Sequence, residues 1–232
     1  MTAKPVRPKS LVFSAVLNFL LGVVALGLVL FLPAWTLGYW QAWVFILLFM
    51  VLISATGLYF SINDPALMAR RKQAGPSAEQ SVGQKVMITI AYISLVGVLI
   101  FCGFDHRFGW SRMPAFVSFL GDGLVVLASL IWFLVQKENT FVGSTVRIYE
   151  GQEVISTGPY SLVRHPKYVG DLVLVVGIPM ALGSWWGLLV LVVTVPGLVW
   201  RILDEENLLK DGLPGYLKYT QKVRYRLVPH LW

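Results

Sequence analysis

The chain has 232 residues, 56% hydrophobic and only 13% charged, with a formal net charge of +7. An ordinary soluble domain is about 25% charged, so this composition excludes a soluble globular enzyme and points to an integral membrane protein. The single cysteine, Cys102, excludes an internal disulfide and a thiolate metal cluster, and the three histidines at 106, 165 and 230 lack metal-ligand spacing.

Lys4, Arg7 and Lys9 precede an apolar stretch at 11–32. It is longer than a signal-peptide core and no Ala-x-Ala site follows, so it reads as a retained first span. Further apolar stretches fall at 39–62, 86–104, 115–137, 168–182 and 185–203. The first four of the six stretches can each cross a bilayer. The last two are short and predict a tight hairpin that turns at Gly183-Ser184-Trp185-Trp186-Gly187, where paired tryptophans suit a headgroup boundary. Pro179 and Pro196 predict local kinks in the two arms.

The polar pieces between are small. Residues 63–85 read as a surface helix plus linker. The segments 145–149 and 153–157, around Glu150-Gly151-Gln152, predict two short strands and a turn. Residues 204–232 form an amphipathic tail broken at Pro214-Gly215. The expected fold is therefore an all-α, polytopic helix bundle of about six spans. Residues 1–136 hold four spans and the 63–85 loop, and 137–232 hold the helical hairpin 168–203 and the tail.

Charge fixes the expected topology. With six spans and the N-terminus inside, 17 of the 19 Lys and Arg fall on one side, and only Arg107 and Arg112 on the other. Basic residues crowd cytoplasmic loops, so both termini and both polar motifs are expected in the cytoplasm, and the positive charge reflects topology rather than nucleic-acid binding. None of the polar pieces can house a soluble catalytic domain. Gly121-Asp122-Gly123 lies inside a span and is no dinucleotide fingerprint. Any active site must use the cytoplasmic mouth of the bundle.

Two segments stand out there. His165-Pro166 is a helix-start signal, flanked by Arg164 and Lys167, and the N–H groups of such a start favour anions. At the other end of the hairpin, Arg201 and Glu205 stand four apart and share a helix face, while Glu206 is rotated by about 100°. The hairpin brings this acidic end back beside His165, so one carboxylate can meet a cationic or hydroxyl-bearing ligand. Tyr160, Tyr168, Tyr216 and Tyr219 flank both segments, and tyrosine faces suit an aromatic base or a sulfonium. Asp122 and Asp171 lie within apolar stretches and are weaker candidates.

Gly158-Pro159-Tyr160, Arg164-His165-Pro166-x-Tyr168-x-Gly170, Arg201 with Glu205-Glu206, and Tyr216 with Tyr219 together resemble the isoprenylcysteine carboxyl methyltransferase family. The wider group includes membrane phospholipid N-methyltransferases. Asn139 and the 146–155 stretch fit the segment that precedes this motif, and the resemblance spans about 137–230. It implies an integral membrane methyltransferase that uses S-adenosylmethionine and a lipophilic acceptor entering from the bilayer. Carried over, it implies that Tyr160, His165, Tyr168 and Tyr216 belong to the cofactor pocket, with the backbone from Val163 to Gly170 cradling the cofactor. Glu205 or Glu206 would bind its polar groups, and Arg201 would hold a substrate carboxylate or fix the neighbouring glutamate. Carboxyl O-methylation of a prenylcysteine-type substrate is the leading expectation, and phospholipid or small-lipid N-methylation the alternative. A non-enzymatic membrane protein or transporter fits less well, because the polar residues crowd one face and no internal repeat is present.

Overall fold

In a bilayer every backbone N–H must find its acceptor within its own segment, so the apolar runs fold as helices. The computed structural model describes residues 8–72, 74–79, 81–143 and 145–232. Lys4 and Arg7, counted in the charge asymmetry, lie outside the described residues. Helices α1 (Pro8–Ala34), α2 (Trp40–Asn63), α4 (Val82–Phe108) and α5 (Ala115–Glu138) are long, and a short α3 (Pro65–Arg71) and a 3-10 turn at Pro76–Ala78 occupy the first polar loop. The hairpin follows as α6 (Pro166–Ala181) and, after a 3-10 turn at Trp186–Val190, α7 (Leu191–Gly212); α8 (Tyr216–Lys222) closes the order. Five helical segments are long and apolar enough to cross a membrane: those of α1, α2, α4, α5 and Trp186–Gly212. The protein is an all-helical, multi-pass membrane bundle.

The two arms of the hairpin are unequal. The 16 residues of α6 extend about 24 Å at ~1.5 Å per residue, short of a hydrocarbon core of about 30 Å. Pro166 occupies its first turn, where a missing N–H costs nothing, and Pro179 its last. Helix α7 carries the acidic cluster inside its last turns, so residues 204–212 are helix rather than the start of a tail. The chain reverses between the arms at Gly183, whose φ of +73° lies in the left-handed region that glycine enters without cost.

The expected strands at 145–149 and 153–157 do not form, and no strand occurs among the described residues. The turn survives: the N–H of Gln152 donates to the Tyr149 carbonyl at 3.1 Å, and the Gln152 side chain accepts from the Tyr149 N–H. The flanking segments bond outward instead of to each other. Val146 N–H donates to Glu79, and the Arg147 guanidinium to the Ala78 carbonyl.

The core runs through α1, α2, α4, α5 and α6, around Leu30, Phe45, Ile46, Leu99, Val125 and Ile178. Helices α5 and α6 lie closest because small residues line their contact: a Cβ on Gly121 would sit 2.1 Å from the Ala181 nitrogen. Helix α7 stands away from this packing. Its buried residues are Ile202 and Glu206, and it leaves an open space against α4, α5 and α6.

Candidate active site

The residue before a proline is kept out of the helical region, and His165, at φ −124° and ψ 60°, stands outside it immediately before α6. The loop ahead of it is tied to the C-terminal segment by two backbone bonds, Arg164 N–H to the Tyr225 carbonyl (2.9 Å) and His165 N–H to the Arg226 carbonyl (3.0 Å). Because α7 returns antiparallel to α6, its acidic end arrives beside this start. Glu206, 1% exposed, meets the His165 Nε2 at 3.3 Å, Arg164 at 3.1 Å and both Nε and Nη2 of Arg226 at 3.1 and 3.0 Å. Lys210 approaches its other oxygen at 3.8 Å. Such a caged carboxylate is fully satisfied by protein, and its removal would leave buried cations unpaired.

Glu205 has a different fate. It is half-buried and faces a cavity walled by the 139–155 segment, the start of α6, the end of α7 and α8. This space measures about 920 Å³ with its open mouth included. The Tyr168 hydroxyl donates to Glu205 at 2.5 Å and accepts from the Arg201 Nε at 3.2 Å. Arg201 spends its remaining nitrogens on Gln84 (2.8 Å) and Glu79 (2.9 Å), and Gln84 donates to Asp204. The expected Arg201–Glu205 contact is thus bridged by a tyrosine, while the direct ion pair of Arg201 is with Glu79.

Tyrosines line the rest of the cavity. Asn139 donates to the Tyr160 hydroxyl at 3.2 Å, and the Tyr219 hydroxyl donates to the Tyr160 carbonyl at 2.8 Å. The Tyr216 hydroxyl and the Arg164 Nε are buried without a hydrogen-bond partner among the described residues. Burial raises the pKa of Tyr160, Tyr216 and Tyr219 above the ordinary phenol value, so they act as neutral hydroxyls.

Of the residues singled out from sequence, Tyr160, Arg164, His165, Lys167, Tyr168, Arg201, Glu205, Tyr216 and Tyr219 line this cavity. Val163, Gly170 and Glu206 are buried and do not line it. Gly170 serves packing, since a Cβ there would meet the Trp132 ring at 2.7 Å. Asp122 is buried with an unpartnered oxygen away from the cavity, whereas Asp171 binds Lys167 (2.8 Å) and the Trp132 indole (2.9 Å). Sequence reasoning missed Glu79 and Gln84, which sit in or next to a loop without periodicity, and Arg226, which read only as part of the basic tail.

A second, apolar cavity, about 1,540 Å³ with its open side included, lies between α4, α5, α6 and α7, lined by residues such as Ile88, Leu95, Val98, Val175 and Val193. Val142, Lys167, Tyr168 and Arg201 line both cavities and form the partition between them.

Residues 116–212 match the phospholipid methyltransferase family. The matched stretch begins in α5 and ends at the last residue of α7, so it contains the partition, both arms of the hairpin and the two glutamates. This family lies in the wider membrane methyltransferase group that also holds the isoprenylcysteine carboxyl methyltransferases. The match is to membrane methyltransferases of lipid substrates. No curated protein matches the chain.

Proposed function

We propose that the protein transfers a methyl group from S-adenosylmethionine to a lipophilic acceptor at the cytoplasmic face of a membrane, and that the acceptor group is the carboxylate of a prenylcysteine-type substrate. The observation that carries this reading is the meeting of a polar and an apolar cavity across Tyr168 and Arg201. An acceptor with a lipid tail in the apolar space would present its polar end at the partition without leaving the bilayer. The charge asymmetry of the chain supports a cytoplasmic position for both termini.

The polar cavity fits the cofactor by its donor set. Glu205 offers a carboxylate to an ammonium or ribose hydroxyls, the unpartnered Tyr216 hydroxyl and Arg164 Nε offer hydrogen-bond donors, and the faces of Tyr160, Tyr216 and Tyr219 suit an aromatic base or a cation. S-adenosylmethionine supplies a methyl group already activated on a positively charged sulfur. The protein therefore needs to position the acceptor and exclude water. Tyr168 and Arg201 are held by mutual bonds at the partition and fix the acceptor's approach, while Glu206 fixes the position of the His165 loop from behind.

A carboxylate asks least of the residues at the partition, where Lys167 is paired with Asp171 and Arg201 with Glu79. A carboxylate is ionised at neutral pH and needs no general base. N-methylation of a phospholipid is the second reading: the Tyr168–Glu205 pair could take the proton that an ammonium acceptor must lose, and the matched family is named for phospholipids. Incubating purified protein with labelled S-adenosylmethionine and either N-acetyl-S-farnesylcysteine or dioleoylphosphatidylethanolamine separates the two. Base-labile label on the prenylcysteine is the expected result, and base-stable label on the phospholipid would move the assignment to nitrogen. Absence of S-adenosylhomocysteine binding by calorimetry in detergent would overturn the whole reading.

A further inference from the structure

The 139–155 segment supplies much of the polar cavity's wall, yet it has little structure of its own. Among its described residues the internal backbone bonds are Val142 N–H to the Asn139 carbonyl and Gln152 N–H to the Tyr149 carbonyl. A loop with so few internal bonds takes its shape from what holds it outside. The holding groups come from the first polar loop, residues 64–79. Arg70 Nη1 donates to the Thr140 carbonyl at 2.8 Å and to its hydroxyl at 3.1 Å, and its guanidinium lies 4.8 Å from the centre of the Phe141 ring. The Ala78 carbonyl accepts from Arg147 at 3.1 Å.

Glu79 makes the decisive link. Its side chain is wholly buried. One oxygen accepts from Arg201 at 2.9 Å and the other from the Val146 N–H at 3.0 Å. A single carboxylate thus joins the cation at the partition to the backbone of the cavity wall. Glu79 lies outside the 116–212 stretch that matches the phospholipid methyltransferase family.

We infer that Glu79 is a positioning residue for the polar cavity: it clamps the 145–149 wall to Arg201 on α7, so that the affinity of the cofactor pocket depends on a loop between α3 and α4. The inference rests on the reading of that cavity as a cofactor pocket, and the test separates the two. Glu79→Gln keeps the volume but loses the charge and one of the two acceptors. S-adenosylhomocysteine affinity of the full-length protein in detergent should fall about ten-fold, the effect of one lost charge-assisted hydrogen bond. Backbone amides at 145–149 should exchange hydrogen faster in the same variant, read by mass spectrometry without ligand. Unchanged affinity together with unchanged exchange would overturn the assignment. If the parent protein binds no S-adenosylhomocysteine, the cofactor reading fails, and the exchange rates alone decide whether Glu79 holds the wall. If Glu79→Gln does not fold, Arg70→Ala, at a half-buried position on the other end of the same wall, should speed exchange at 139–143; no change there would equally sink the clamp.

Discussion

The two ends of the α6–α7 hairpin are both rich in buried polar groups, but they use them differently. At the Gly183 end the Asp105 cluster is closed: Asp105, 1% exposed, accepts from the Ser111 N–H at 2.7 Å and from the hydroxyls of Ser111 and Ser184, while the Tyr39 hydroxyl donates to the Leu182 carbonyl at 2.5 Å; beside it, Gln41 Oε1 and Ser118 Oγ are buried without a partner among the described residues. At the His165 end the network is larger and stops short of closure, leaving Glu205 facing a cavity and the Tyr216 hydroxyl and Arg164 Nε without partners. A fully satisfied polar cluster is a staple, and a partly satisfied one beside open space is a place for a ligand.

Breaking each kind of cluster should give a different signature. The largest effect is expected for Glu206→Ala, which leaves Arg164 and Arg226 without their common acid; a loss of about 3–5 kcal/mol is the scale for breaking a buried pair, seen as little folded protein in detergent. Its neighbour is the control: Glu205→Ala should fold normally and lose S-adenosylhomocysteine binding. If the two variants behave alike, the division of labour between the adjacent acids is wrong. Asp105→Asn should come next, costing about 1–3 kcal/mol through unpaired buried donors, seen as a lower unfolding temperature with unchanged S-adenosylhomocysteine affinity. Altered affinity there would show that the ends are coupled. The smallest effect belongs to Tyr216→Phe, which breaks no bond among the described residues. It should leave stability intact and weaken S-adenosylhomocysteine binding by about 0.5–1.5 kcal/mol, the worth of one neutral hydrogen bond.

The bundle was readable because long apolar runs leave the chain no alternative to helices, and His165-Pro166 marked the start of α6 to the residue. The meeting of His165 with the acidic end of α7 followed from hairpin geometry. What could not be read was the sorting of Glu205 from Glu206. Helical rotation separates them by about 100°, but which one turns inward is decided by Arg164 and Arg226, at 42 and 20 residues' distance along the chain. Alternation at 145–157 suggested strands because that pattern cannot tell a paired edge from a loop bonded elsewhere. Glu79 carried no signal at all: an acid in a polar loop looks solvated until its buried partners are known.

The brevity of α6 has one more consequence. A helix some 6 Å shorter than the hydrocarbon core (about 24 Å against about 30 Å) cannot reach both leaflet surfaces at once. Where the Trp185–Trp186 turn rests in one headgroup layer, such a helix is expected to end below the other, with the lipids around it thinned or tilted. On that placement the partition at Tyr168 would lie among the uppermost acyl carbons, and turnover should rise in vesicles of shorter-chain lipid, where that dimple costs less.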